Sequence, residues 1–175
     1  MSSILKVDTI QTTAGAAPTA TDLGLNTVGT VVQVGHTYNH QVSAHQSIAS
    51  TSLVGAGVTC VITPKSIGNK FIFNWTVSMA YGQTGTYVAG AMKYKIGTGS
   101  YVFVDGASTD SGVPYNLGYS YSGNQYAPMT ANGEVDITST SAYTFEPHFR
   151  TQTGVAGNWI HTRGSYSLLV MEIAQ

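Results

Sequence analysis

The stretch Lys70 to Met79 reads KFIFNWTVSM. Phe71, Phe73, Trp75, Val77 and Met79 alternate with Lys70, Ile72, Asn74, Thr76 and Ser78, and a period of two places one set on each face of an extended strand. The first set belongs to a core and the second faces water. A helix would scatter these large side chains around its circumference, so the segment specifies a strand.

The same period recurs on both sides of this stretch. Thr30 to Val34 (TVVQV) opens the patterned region, and Val58, Cys60 and Ile62 share one face of the next run. Val88, Gly90, Met92, Tyr94 and Ile96 alternate with Ala89, Ala91, Lys93 and Lys95, after which Gly97-Thr98-Gly99-Ser100 supplies a hairpin loop into Tyr101 to Val104. Asn132-Gly133 reads as a turn, with a strand starting at Glu134-Val135-Asp136. Tyr143, Phe145 and Phe149 alternate with Thr144, Glu146, His148 and Arg150, and Pro147 marks an edge or a bulge because it has no N–H for a ladder. In the last run, Ser165 to Ala174, both faces are apolar: Leu169, Met171 and Ile173 on one, Tyr166, Leu168 and Val170 on the other. One face packs on the core, and the face of Tyr166, Leu168 and Val170 is assigned to a neighbouring subunit. No apolar stripe of helical period lasts three turns. The expected fold is therefore all-β, an antiparallel β-sandwich or jelly roll.

Composition agrees with this. Of 175 residues only 9% are charged, against roughly 25% in ordinary soluble domains, while 42% are apolar, 20 are Gly and 40 are Ser or Thr. The formal net charge is −1, with seven basic residues spread along the chain, which gives no footprint for nucleic acid or an anionic membrane. No window approaches the roughly 20 apolar residues of a membrane helix, and the first ten residues lack a signal-peptide core. The single cysteine, Cys60, has no second cysteine for a disulfide or a C-x-x-C pair and sits in strand-like flanks as a small buried hydrophobe. The pattern changes near Gly29. Residues 1–29 are rich in Thr and small residues and form an arm, and residues 30–175 form the head domain. Within the arm Leu5, Val7 and Ile10 are the anchoring residues, because apolar positions alternate there with Lys6 and Asp8 as in a strand that pairs with another chain.

The polar residues give little chemistry. His36 and His40 are four apart and share a face if extended, but a zinc site needs a third ligand and none of His45, His148 or His161 is marked as converging on them. Among the eight acids only Glu146 and Glu172 fall within strong strands. No G-x-S-x-G elbow, dinucleotide fingerprint or phosphate-binding loop is present. The expectation is a non-enzymatic protein without cofactor or metal. Tyr115, Tyr119, Tyr121 and Tyr126 lie among Ser, Gly, Asn and Gln, the composition of binding loops, in which Tyr offers a rigid amphipathic surface. They form a candidate ligand loop for host-surface glycans, or else pack onto the sandwich or across a subunit boundary.

Three segments carry a family resemblance. The opening LKVDTIQT followed by a small-residue linker and GTVVQV, the segment ITPKSIGNK at Ile62 to Lys70, and the closing LLVMEI resemble small structural proteins of tailed bacteriophages, especially those of marine bacteria and cyanobacteria. The resemblance implies a virion protein whose arm docks on another virion component and whose head is a homotrimeric jelly roll similar to tumour-necrosis-factor-like domains. Such proteins serve as tail or head fibres, and some as capsid decoration proteins that cement subunit junctions. No catalytic residues come with the resemblance.

Overall fold

The computed structural model describes residues 28–39, 46–81, 87–104, 116–119, 125–151, 158–160 and 166–175. Of the arm residues, Leu5, Val7 and Ile10 lie outside these. The described residues form twelve strands: β1 (Val31–Asn39), β2 (Gln46–Ile48), β3 (Val54–Gly55), β4 (Cys60–Ile62), β5 (Lys70–Tyr81), β6 (Tyr87–Ile96), β7 (Val102–Phe103), β8 (Asn116–Tyr119), β9 (Gln125–Asp136), β10 (Tyr143–Thr151), β11 (Asn158–Ile160) and β12 (Tyr166–Ile173).

The short strands are pieces of longer ones laid end to end. β11 and β12 both run antiparallel to β5 along one edge, pairing Ile160 with Met79 and Tyr166 with Val77. β2 and β1 continue one another in the same way outside β11 and β12. β9 takes the other edge of β5, from Lys70 opposite Asp136 to Tyr81 opposite Gln125. The first sheet is thus four strands wide, in the order β1/β2, β12/β11, β5, β9. The second sheet repeats the arrangement: β3 and β4 together flank β10, which pairs with β6, and β7 with β8 flank β6. Along the chain the eight composite strands fall in sheets one, two, one, two, two, one, two, one. All pairings are antiparallel, and two four-wide sheets wound in this order make a jelly-roll β-sandwich. The all-β sandwich expected from the alternation is the fold observed.

The core lies between β5 and β10. Phe71, Phe73, Trp75 and Val77 project from one sheet onto Tyr143, Phe145 and Phe149 of the other, all buried. Phe71 meets Phe145 at 5.6 Å and 86°, and Trp75 meets Phe149 at 5.5 Å and 87°. Such edge-to-face pairs add about 0.5–1.5 kcal/mol each beyond area burial.

Two sequence expectations change here. Pro147 is on a central strand, not at a sheet edge. β10 pairs with β4 through Tyr143–Phe145 and with β3 through His148–Phe149, so Pro147 faces the break between β3 and β4, where its carbonyl accepts the Ala56 N–H and no ladder donor is needed. Asn132-Gly133 is not a turn but lies inside β9, with Gly133 opposite Phe73. A Cβ there would sit 2.8 Å from the Phe73 ring, so the glycine makes room for an aromatic in the core. The predicted hairpin from β6 into β7 is present, with Gly97–Ser100 between the strands.

Candidate functional site

Glu172 is the fully buried acid of the described residues, 0% exposed. An isolated carboxylate there would be costly. Its Oε1 accepts from the Asn69 side-chain amide at 2.7 Å, the Lys65 N–H at 3.0 Å and the Ser66 N–H at 3.1 Å, and its Oε2 accepts from the Lys65 N–H at 2.9 Å and the Gln33 amide at 2.5 Å. Burial pushes its carboxyl up, but the Lys65 N–H, the Asn69 and Gln33 amides and the Ser66 N–H together outweigh burial and hold it below the ordinary range. Gln33 also donates to the Thr63 carbonyl at 2.6 Å, which ties β1 to the loop after β4.

The segments joined here are distant in sequence. Gln33 comes from GTVVQV, Lys65, Ser66 and Asn69 from ITPKSIGNK, and Glu172 from LLVMEI, so three stretches far apart in the chain converge on one carboxylate. The next residues along the chain complete the knot: the Gly29 N–H donates to the Ala174 carbonyl at 2.8 Å, and the Ala174 N–H donates to the Thr30 carbonyl at 3.0 Å. Gly29 has φ +87°, a left-handed conformation that favours glycine, and turns the chain at this point. Gly29 and Thr30 are therefore fastened to the end of the chain at Ala174 by backbone bonds and, one rung inward, β1 is tied to β12 by the Glu172 clamp.

A second cluster lies on the outward face of β10 and β6. Glu146 and His148 are buried there although their strand face points away from the core. Glu146 Oε1 accepts the Gly57 N–H at 2.9 Å, its Oε2 is 3.7 Å from His148 Nε2, and the Tyr101 hydroxyl donates to its carboxylate. The Tyr101 phenol is pushed up to about 12, by burial first and then by this bond and the negative charge of Glu146. Lys93, opposite Glu146 in the ladder, places its Nζ 4.4 Å from the Phe103 ring centre, and Lys95 stands 5.0 Å from that of Tyr101. Glu146 and Glu172, the two acids that the sequence puts in strong strands, are thus both engaged by backbone N–H groups. Sequence reasoning singled out these acids but had no signal for their donors, which lie 89 and up to 139 residues away.

No family model matches the chain, and no curated protein matches it. Among solved structures, one described as "Structure of infectious bursal disease virus Gx strain" is similar with a TM-score of 0.45 and 12% sequence identity, covering 82% of this chain and 34% of that one. The chain thus spans about a third of the length of that structure's chain.

The residues singled out from the sequence fall in three groups. Tyr166, Leu168 and Val170 do not form an outward subunit face: Leu168 and Val170 are 0% exposed in the sandwich core, and Tyr166 packs against it. The physical reason is register, since Leu168 and Val170 share the inward side of β12 with Glu172, leaving Leu169 and Met171 outward. Tyr119 and Tyr126 lie on strands rather than in a loop, with Tyr119 opposite Tyr87 on β8 and Tyr126 opposite Ala80 on β9. Tyr115 and Tyr121 lie outside the described residues, as do His40, His45 and His161. His36 is outward on β1, hydrogen-bonded to the Ser167 hydroxyl at 3.0 Å and stacked on Tyr38. Among the described residues no three His, Cys, Asp or Glu side chains gather to hold a metal ion. A small cavity between the sheets is lined by Ala56, Val58, Trp75, Pro147, Phe149 and Leu168 and has a volume of about 10 Å³, room for roughly one water.

Proposed function

We propose that the chain is a non-enzymatic structural component of a tailed-phage particle, a jelly-roll head held on the virion through residues 1–29. The observation that supports this reading is the fastening of the arm's root. Where residues 1–29 join the head, Gly29 and Thr30 exchange backbone bonds with Ala174, and Glu172 binds three separated segments immediately beside them. A head that is pulled by its arm needs this junction to resist opening. The segments that build it are also those that resemble phage structural proteins. Both acids of the strong strands have structural partners: the Glu172 carboxylate is held by the Lys65 and Ser66 N–H groups and the Asn69 and Gln33 amides, and Glu146 Oε1 accepts the Gly57 N–H.

The test is cofractionation. Tagged full-length chain and a variant lacking residues 1–29 are expressed during infection, and particles are banded by density. The full chain should travel with the particles and the shortened one should not; absence of both from purified particles refutes the reading. Copy number then separates fibre from cement, since a few copies per particle mark a fibre and occupancy of every equivalent capsid position marks a decoration protein. The same reading assigns host-surface glycan contact to Tyr115, Tyr119, Tyr121 and Tyr126, and Tyr119→Ala with Tyr121→Ala should lower adsorption to host cells. Unchanged adsorption removes that contact from the proposal.

A further inference from the structure

We infer that the outward face of β4, β10, β6 and β7 binds an acidic glycan, a sugar polymer carrying carboxylate or sulfate groups; that this glycan belongs to a host surface rests on the virion reading above. Charge is divided unevenly between the two sheets. Glu134 and Asp136 lie on the outward face of the first sheet, 2.7 and 3.7 Å from Lys70 Nζ, and Glu172 is enclosed between the sheets. The outward face of the second sheet carries Lys93 and Lys95 of β6 and Arg150 of β10 against one carboxylate, that of Glu146. A chain of net charge −1 thus presents a face on which cations outnumber acids.

Glu146 does not neutralise the lysines, although Lys93 stands opposite it in the ladder. Its carboxylate is drawn toward β3, across β10 from β6: Oε1 accepts the Gly57 N–H at 2.9 Å, and a Cβ at Gly55 would overlap it. The Tyr101 hydroxyl and His148 Nε2, 3.7 Å from Oε2, occupy the rest of it. Among the described residues no carboxylate oxygen comes within 4 Å of either lysine's ammonium group. Each is seated on a ring instead, Lys93 Nζ 4.4 Å from the centre of Phe103 and Lys95 Nζ 5.0 Å from that of Tyr101. A ring attracts an ammonium group and helps to hold it in place but leaves its charge intact, so both stay available to an anion. Both side chains are half-buried, where salt and water screen them less than at full exposure.

The register extends this pair into a strip. Val61 of β4 pairs with Thr144 of β10, Thr144 pairs with Lys95 of β6, and Tyr101, two residues before Phe103, stands across from Lys95. Four neighbours at strand spacing span roughly 14 Å, and Lys93 and Lys95 spring from points about 7 Å apart along β6, so one acidic group is within reach of both. Val61 is 61% exposed and offers an apolar contact to the C–H face of a sugar ring, while the half-buried Thr144 hydroxyl suits a sugar hydroxyl. A duplex or an anionic bilayer takes a wider field of cations than this. A sugar chain with an acidic group on some of its rings matches both the cations and the neutral polar ground around them.

Calorimetric titration of the full chain is the experiment, with tetragalacturonate as the carboxylated probe, a dextran sulfate tetrasaccharide as the sulfated one, maltotetraose as the neutral one and inorganic sulfate as the free anion. At least one acidic tetrasaccharide should bind with a Kd of about 1 mM or tighter in ~50 mM salt, and about tenfold more weakly in ~500 mM salt. Maltotetraose and inorganic sulfate should each bind at least about tenfold more weakly than that probe. Lys93→Gln with Lys95→Gln should weaken the binding by about tenfold or more, and Lys93→Arg with Lys95→Arg should retain it. Lys6→Gln with Lys65→Gln, the same change in net charge elsewhere, should leave it within about twofold. If the Lys93/Lys95 glutamine variant loses its β-type circular dichroism, NMR titration of the wild type takes its place, and the shifts induced by the acidic probe should centre on Lys93, Lys95 and Thr144. The inference is overturned by an absence of binding of both acidic probes at ~10 mM, or by equal binding of maltotetraose or of inorganic sulfate. It is overturned equally by a glutamine variant that binds as the wild type does, by equal weakening in the Lys6/Lys65 variant, or by shifts centred elsewhere. These results come from the purified chain, and cofractionation with particles is judged on its own result, so this inference and the virion reading fail separately.

Discussion

Replacing Glu172 with Gln tests the clamp most directly, because the side chain keeps its shape and loses its charge. In the wild type each carboxylate oxygen is an acceptor only, and the two share five hydrogen-bond contacts from four donors, with the group 0% exposed. The substituted amide retains most by keeping its oxygen at the Oε1 position, facing Asn69, Lys65 and Ser66. Its NH2 then points at Gln33 Nε2, donor against donor. Gln33 can turn its amide to accept, but that breaks its bond to the Thr63 carbonyl. One charge-assisted bond is therefore lost whichever way the amides settle, and the others lose their charge assistance. With hydrogen bonds to charged groups contributing about 1.5–3 kcal/mol, the expected destabilisation is about 2–4 kcal/mol. For a chain of this length that is a fall in Tm of roughly 5–15 °C.

The pH dependence gives a second, independent reading. The folded-state pKa of Glu172 is depressed, so its stabilising effect is fully present above the unfolded carboxyl pKa of about 4.3 and is lost as pH falls through the lower folded value. Urea unfolding of wild type and Glu172→Gln should thus differ by a constant amount between about pH 8 and pH 5.5 and converge below about pH 4. A difference under about 0.5 kcal/mol at neutral pH, or one that does not shrink in acid, would refute the assignment of Glu172 as the clamp.

Gly133→Ala should destabilise by about 1–3 kcal/mol in thermal unfolding, because its methyl would press on Phe73, whose ring is fixed in the core; a neutral result would mean that the ring can shift. Tyr101 should be among the last phenols to ionise: ultraviolet titration of Tyr101→Phe should lack a step near pH 12 that the wild type shows. Because that pKa is raised on folding, its contribution to stability is complete below the unfolded value of about 10 and disappears as pH rises through about 12, so the variant should lose less stability across that interval. Cys60 is 2% exposed and burial pushes its thiol up, with a smaller opposing effect from the Thr37 hydrogen bond. A thiol reagent at neutral pH should therefore modify the native chain at least about 100-fold more slowly than the urea-unfolded chain, and comparable rates would refute its burial.

Alternation was enough to place β5, β6, β10 and β12 as strands, and in β5 burial follows it, with Phe71, Phe73, Trp75 and Val77 buried between the exposed Ile72 and Asn74 and the half-buried Thr76. It failed where the deciding partner lay on another strand. Asn132-Gly133 has the composition of a turn, and only Phe73 across the ladder shows why a glycine is needed in mid-strand. Pro147 cannot donate to a ladder, but whether that implies an edge depends on the break between β3 and β4, which the residues around Pro147 do not encode.

The last strand draws the boundary most clearly. Its sequence, YSLLVMEIA, determined by itself that both faces are apolar and that an acid is carried among them. Which face is core is not written there, since a period of two is symmetric between the sides of a sheet, and Leu168 and Val170 face inward rather than toward a neighbouring subunit. Tertiary structure decided it through Glu172. A carboxylate on the inward side requires donors, and Gln33, Lys65, Ser66 and Asn69 are brought to it by the winding of the jelly roll from positions 103–139 residues away. Strand identity is a property of neighbours in sequence. The direction in which a strand faces is a property of what the completed fold can satisfy.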